Sequence, residues 1–169
     1  LFDAYGHTVG QILMTKDVID NPTRRAAAES TFRELLGYGC IPIVNENDSV
    51  SSEEIKFGGN DTLSAYVALV CSANILINLS DVDGLYNCDP RKNPDAEIID
   101  RVDTIDDSII ACAGGAGSER GTGGMITKIK AAQIATAAGI PMLIVNGKNP
   151  DVLYEISDGK HIGTYFAAA

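Results

Sequence analysis

Short apolar runs that stop abruptly in clusters of small polar residues limit most strongly how this chain can fold. Cys40-Ile41-Pro42-Ile43-Val44 runs into Asn45-Glu46-Asn47-Asp48, and Ile75-Leu76-Ile77-Asn78-Leu79 runs into Ser80-Asp81-Val82-Asp83-Gly84. Val9 to Thr15 and Pro141-Met142-Leu143-Ile144-Val145 are further strand candidates. Each is a continuous apolar run rather than an alternating one, and helical patterns separate them. That order predicts a mainly parallel sheet between helical layers, a three-layer α/β/α sandwich. Pro22-Thr23 opens a helix that stops near Gly37 and Gly39, Asn60 reads as the N-cap of a helix reaching Val70, and Gly139 halts a helix from Met125 to Ala138. Asp17 to Thr23 reads as turn, Glu97 to Val102 as a short edge strand and Asp106 to Ala113 as a small helix. With no internal repeat, low-complexity tract or linker, residues 1–169 are expected to form one α/β domain.

Charge and composition then narrow the function classes. Thirteen Lys and Arg against 23 Asp and Glu give a net charge of −10, which argues against a binder of nucleic-acid backbone. With 45% hydrophobic residues, the chain can build a core without a metal or disulfide staple. No apolar run approaches the roughly 18 to 20 residues of a spanning helix, and Leu1-Phe2-Asp3-Ala4-Tyr5-Gly6-His7 lacks signal-peptide character, so a cytoplasmic protein is expected. The four cysteines, Cys40, Cys71, Cys88 and Cys112, have no Cys-x-x-Cys spacing and read as reduced packing thiols. His7 and His161 have no neighbouring metal ligands in sequence, and no Gly-x-Ser-x-Gly elbow occurs. Asp81-x-Asp83-Gly84 departs from a calcium loop because Leu85 occupies the third ligand position.

Strand carboxyl ends share one edge of a parallel sheet. Asn45 to Asp48, Asn60-Asp61 with Ser80 to Asp83, and Gly121 to Lys128 are therefore expected around one site. Taken singly, Asn60 or Asp81 is also an ordinary cap or turn residue. The glycine cluster Gly114-Gly115-Ala116-Gly117 and Gly121-Thr122-Gly123-Gly124 precedes a helix, where exposed N–H groups and the helix dipole suit a phosphate. It matches neither the P-loop nor the dinucleotide fingerprint. Lys128 falls in the first turn of that helix, where a cation opposes the dipole unless an anion lies there; the plain alternative is a solvated lysine.

In chain order, a longer set of segments carries a resemblance. They are Gly10-Gln11-Ile12-Leu13 with Thr15, Ile41 to Asp48, Glu54-Ile55-Lys56-Phe57-Gly58, Asn60-Asp61-x-Leu63-Ser64-Ala65, and Ser80-Asp81-Val82-Asp83-Gly84-Leu85-Tyr86. Asp89-Pro90-Arg91, Gly121-Thr122-Gly123-Gly124-Met125 with Thr127-Lys128, and Gly163-Thr164 complete the set. Together they resemble the amino acid kinase family, in its glutamate 5-kinase branch. The resemblance implies ATP-dependent phosphorylation of the L-glutamate side-chain carboxylate, the first step of proline biosynthesis, with Mg2+. It also implies that Asp48 and Asn60 hold glutamate and that Ser80, Asp81, Thr122, Gly123, Gly124, Met125, Ile126, Thr127 and Lys128 line the nucleotide site. Asp61 would organise the catalytic lysines, and Lys128 would neutralise the transferring phosphoryl group. A homo-oligomer and feedback inhibition by proline are expected from the same resemblance. Two departures stand out: Gly59 replaces the family's usual Asp before Asn-Asp, and Glu119-Arg120 replaces small and apolar residues before Gly-Thr-Gly-Gly.

The family pattern opens with a strand and a glycine loop carrying a second catalytic lysine, followed by a Ser-Gly-rich loop. Neither motif occurs in these 169 residues. The expectation is an N-terminally incomplete kinase domain with no second domain. A uridylate kinase and a non-catalytic binding module are the alternatives. Losing one preorganised electrostatic partner costs about 10² to 10³ in rate, so these residues alone are predicted not to transfer phosphoryl. Full activity in a purified chain of this length would overturn that prediction.

Overall fold

The computed structural model describes residues 1–52, 56–114 and 124–169. Two compact units account for the chain, Leu1–Ala73 and Asn74–Ala169.

The first unit opens with a 3-10 turn, Phe2–Tyr5, and then forms β1 (Val9–Met14), α1 (Asp17–Asp20), α2 (Pro22–Gly37), β2 (Ile41–Glu46) and α3 (Asn60–Val70). Strands β1 and β2 pair in parallel, with Val9 opposite Ile41 and Met14 opposite Glu46. The expected turn at Asp17 to Thr23 contains the short helix α1. Asn21 then caps α2 by accepting the Arg24 N–H at 3.1 Å, with Pro22 in the first turn. That helix ends where expected: Gly39 takes a left-handed φ of 69°, and the Cys40 N–H returns to the Leu35 carbonyl at 2.9 Å. Strand β2 continues two residues into the polar cluster because Asn45 and Glu46 still have partners in Leu13 and Met14.

Neither β1 nor β2 is buried on both faces. Exposure alternates along them, with Val9, Leu13, Ile41 and Ile43 exposed. On the other face, Met14 packs with Phe32, Phe57, Leu63 and Val70, joined by Ile12 and Val44. Exposure therefore repeats every second residue even though the sequence is apolar throughout.

The second unit contains β3 (Leu76–Ser80), β4 (Arg101–Val102), α4 (Asp107–Gly114), α5 (Met125–Ala137), β5 (Met142–Asn146), α6 (Val152–Ser157) and β6 (Thr164–Phe166). Its sheet has the order β3-β5-β6-β4. Pairs β3/β5 and β4/β6 are parallel and β5/β6 is antiparallel. Helix α6 and strand β6 carry no strong sequence periodicity and are additions to the elements expected. Strand β5 fulfils the buried-run expectation, since Met142 to Val145 are all buried. Ala131, Ala132 and Ala135 of α5 are fully buried as well, small side chains on the inward face of a helix that contacts β5.

Position 84 illustrates how closely this unit is fitted. Thr164 is fully buried, and its Oγ1 accepts the Leu85 N–H at 2.8 Å. A Cβ on Gly84 would lie 2.7 Å from that hydroxyl. A Cβ on Gly163 would lie 2.1 Å from the Ile144 carbonyl oxygen, at a φ of 75°. Thr164→Val removes the acceptor and leaves the Leu85 N–H buried, so it should cost about 1–3 kcal/mol in urea denaturation, while Thr164→Ser keeps most of the stability. Gly163→Ala should be the more damaging change, because backbone cannot yield as a side chain can.

Candidate functional site

At the carboxyl end of β3 the chain turns sharply and is tied to β5. The Ser80 carbonyl accepts the Gly147 N–H at 2.8 Å, and the close approach leaves no room for a side chain at 147, whose Cβ would sit 2.7 Å from that of Leu79. Asp83 belongs to the framework: Asn146 Nδ2 donates to one of its oxygens at 2.7 Å and the Tyr86 hydroxyl to the other at 3.2 Å. Partial desolvation raises the Tyr86 phenol above its ordinary pKa, and the hydrogen bond to Asp83 and its charge add to the effect. Asp83 is thus held within the framework, and no cluster of three or more His, Cys, Asp or Glu suited to a metal occurs among the described residues.

Beyond this turn lies a cavity of about 360 Å³, lined by Asp81, Gly84 to Tyr86, Cys88 to Arg91, Cys112 and the start of α5. Of the residues the sequence assigns to a nucleotide, Asp81, Gly124, Met125 and Lys128 line it. Ser80 donates its hydroxyl to Asp81 at 3.2 Å from just behind the lining. Ile126 and Thr127 belong to the first turn of α5 but are not among the lining residues, and the Thr127 hydroxyl donates to the Gly124 carbonyl at 2.7 Å. Thr122 and Gly123 lie outside the described residues, as do Glu119-Arg120 and the Glu54-Ile55 pair of the family motif.

Lys128 is not a solvated surface lysine. Only 8% of it is exposed, and it borders the cavity from the first turn of α5. The N-cap of α5 is Gly124, which offers no capping side chain, so that end of the helix favours an anion.

Asp89 organises the opposite wall. It is 8% exposed and accepts the Arg91 main-chain N–H at 3.1 Å and Arg91 Nε at 3.2 Å, with Lys92 Nζ at 3.7 Å. The Arg91 N–H, more than the nearby charges, holds the Asp89 carboxyl below the ordinary carboxylate range. Sequence reasoning noted Asp89-Pro90-Arg91 as a motif but did not place it at the site. The thiols also require a correction. Cys40 is a buried packing thiol as expected, but Cys88 and Cys112 are half-buried and line the cavity.

In the first unit, Asp48 and Asn60 are exposed, and Asp61 is half-buried in the first turn of α3. At the end of β2, Glu46 Oε1 accepts the Ser51 hydroxyl and the Phe57 N–H, each at 3.1 Å. Asn60 is not the N-cap expected from sequence; it is the first residue of α3, and Gly59 is the cap. Gly59 has φ 123°, a conformation that favours glycine, and its carbonyl accepts the Leu63 N–H at 3.1 Å. The departure at position 59 therefore has a backbone reason.

Comparison with known proteins extends this picture. The amino acid kinase family model matches residues 1–146. The chain is 56% identical to a glutamate 5-kinase of Clostridium tetani over 168 residues, covering 99% of this chain and 63% of that protein. A glutamate 5-kinase of Symbiobacterium thermophilum is 52% identical over 167 residues, covering 99% and 63%. The chain thus spans slightly under two thirds of the length of these relatives. Among solved structures, an isopentenyl phosphate kinase superposes with a TM-score of 0.65 at 20% identity, covering 97% of this chain and 61% of that one. A uridylate kinase from Archaeoglobus fulgidus gives 0.58 at 22% identity, covering 82% and 57%. These likenesses show the α/β fold alone. No helix among the described residues is long and apolar enough to cross a membrane.

The anchoring of Arg91 predicts a pH dependence. The folded Asp89 carboxyl is depressed, so its stabilising contacts are complete above the ordinary value of about 3.9 and are lost as pH falls through the lower folded value. The Arg91 amide resonance should titrate below the ordinary carboxylate range, and Asp89→Asn should abolish that titration. An Arg91 amide titrating at or above the ordinary value would contradict the anchoring.

Proposed function

Because the chain belongs to the amino acid kinase family, we propose that it serves the ATP-dependent phosphorylation of the L-glutamate side-chain carboxylate to L-glutamyl 5-phosphate, at the entry to proline biosynthesis. Its 169 residues are read as part of a single kinase domain. One observation carries the nucleotide assignment: Lys128 is buried beside a cavity at the positive end of a helix. That placement puts an ammonium beside any polyphosphate bound at this helix end, and Arg91 on the same cavity adds a second cation.

The chemistry asks for little else. A glutamate carboxylate is already a nucleophile, so one of its oxygens attacks the γ-phosphorus as the bond to the β,γ-bridging oxygen breaks and ADP departs, with no proton to transfer. The protein must hold two anions in line and offset their repulsion. In the proposed roles Asp48 and Asn60 bind glutamate, Asp61 organises the catalytic lysines, and Ser80, Asp81 and residues 122–128 hold the nucleotide. Lys128 neutralises the moving phosphoryl group. Mg2+ takes one or two carboxylates and completes its shell with phosphate oxygens and water, so a site presenting Asp81, with no cluster of three or more His, Cys, Asp or Glu among the described residues, fits it. When bound, the ion supplies charge neutralisation of the phosphates. A cytoplasmic homo-oligomer inhibited by proline at or near the glutamate site belongs to the same reading.

Trapping the acyl phosphate with hydroxylamine tests the proposal in the complete gene product. Hydroxamate should form with ATP and glutamate but not with aspartate or UMP, and Asp61→Asn should abolish it. Lys128→Met should lower kcat/KM by about 10² to 10³. ADP release with UMP and no hydroxamate with glutamate would move the assignment to a nucleotide monophosphate acceptor. Silence with every acceptor, with ATP still bound, would leave a binding module.

A further inference from the structure

Phosphoryl transfer makes no use of Cys88 and Cys112, yet both side chains border the cavity and both are free and half-buried. They come from different segments, Cys88 from the loop anchored by Asp89 and Cys112 from α4. Their sulfurs converge on one residue. Cys88 Sγ donates to Asn87 Oδ1 at 3.3 Å, and Cys112 Sγ donates to the Asn87 main-chain carbonyl at 3.5 Å. Asn93 Nδ2 reaches Cys88 Sγ from the other side at 3.3 Å. Asn87 is itself fixed, since its N–H donates to the Glu97 carbonyl at 3.0 Å and its Oδ1 accepts the Glu97 N–H at 3.1 Å. The Cys112 sulfur therefore rests on the peptide unit that leads into Cys88. The remaining thiols, Cys40 and Cys71, belong to the first unit and to neither wall.

We propose that Cys88 and Cys112 form a reversible dithiol–disulfide pair whose oxidation closes the cavity to nucleotide. The gating rests on the nucleotide reading given above, whereas the pairing of the two thiols does not. The oxidant is a low-molecular-weight disulfide, RSSR. One cysteine thiolate attacks it, forming a mixed disulfide and releasing RS⁻, which takes up the proton the thiol gave. The second cysteine then attacks the cysteine sulfur of the mixed disulfide and releases the other RSH in the same way. Two protein thiols become one S–S bond while RSSR is reduced to two RSH. Oxidation removes both S–H groups, so both thiol hydrogen bonds to Asn87 are lost as the S–S bond of about 2.05 Å forms. Cys88 moves with the loop held through Asp89, Arg91 and Lys92, so the adjustment falls on the Cys112 end of an eight-residue helix and narrows the cavity that both residues border.

Oxidised glutathione is the probe, applied to the full chain and followed by reversal with dithiothreitol. Disulfides are mapped by mass spectrometry of proteolytic peptides, and MgATP affinity is measured in the reduced, oxidised and re-reduced states. The expected result is a Cys88–Cys112 cross-link, with ATP binding weakened about tenfold or more in the cross-linked protein and restored by dithiothreitol. Cys88→Ser and Cys112→Ser should each abolish the cross-link and leave only a glutathione adduct on the remaining cavity thiol. Glutathione adducts without a cross-link in the unaltered chain would overturn the pairing. A cross-link with unchanged ATP affinity would overturn the gating. Reduced protein that binds no ATP would refute the nucleotide reading and the gating with it, while the peptide map would still decide the pairing.

Discussion

A single buried hydrogen bond, Leu85 N–H to Thr164 Oγ1, fixes the wall on which the candidate nucleotide cavity depends. Leu85 and Thr164 are 79 residues apart in sequence, so the contact commits the loop after β3 to β6, an inner strand of the sheet and the last in the chain. It works because glycine stands at 84 and 163, where any side chain would collide with Thr164 or with the Ile144 carbonyl. An unpaired N–H at such depth is costly, and the alternative positions of the loop would leave one. Asp81, Tyr86 and Asp89 reach the cavity from the segment this bond secures.

Around that wall the ionic groups are arranged for anions. Lys128 and Arg91 both border the cavity of a chain whose net charge is −10. Local placement outweighs net charge here, since exposed charges more than about 8–10 Å away are largely screened at ordinary ionic strength. Asp89 directs its carboxylate to Arg91 and Lys92, and Asp83 directs its own to Asn146 and Tyr86. Of the acidic residues that follow β3, Asp81 is left as the one at the cavity with no basic partner among the ion pairs described. In the first unit Glu46 is likewise engaged by the framework, accepting from Ser51 and Phe57.

Much of this was legible in the residues themselves. The limits of α2 followed from Pro22-Thr23 and from Gly37 and Gly39, and the end of α5 from Gly139, because start and stop signals are local chemistry. Strands β1, β2, β3 and β5 were found from their apolar runs to within one or two residues, whereas the expected edge strand at Glu97 to Val102 is confined to β4 at Arg101–Val102. Less legible were β6 and α6, whose short segments acquire their structure from partners far away in sequence. The role of Gly59 was also hidden: its left-handed backbone makes it the cap, so Asn60 begins α3. Cys88 and Cys112 read as ordinary packing thiols, since nothing within a few residues of either announces a cavity.

Sequence by itself determined the α/β class, the membership in a kinase family and the identity of the polar clusters at strand ends, because each of these depends on short-range pattern or on ordered motifs. Tertiary structure alone decided that Lys128 is buried, that Asp89 holds Arg91, that Asp83 is framework and that two cysteines meet at Asn87. Those facts depend on which segments pack together, and packing joins residues whose separation along the chain carries no record of their distance in space.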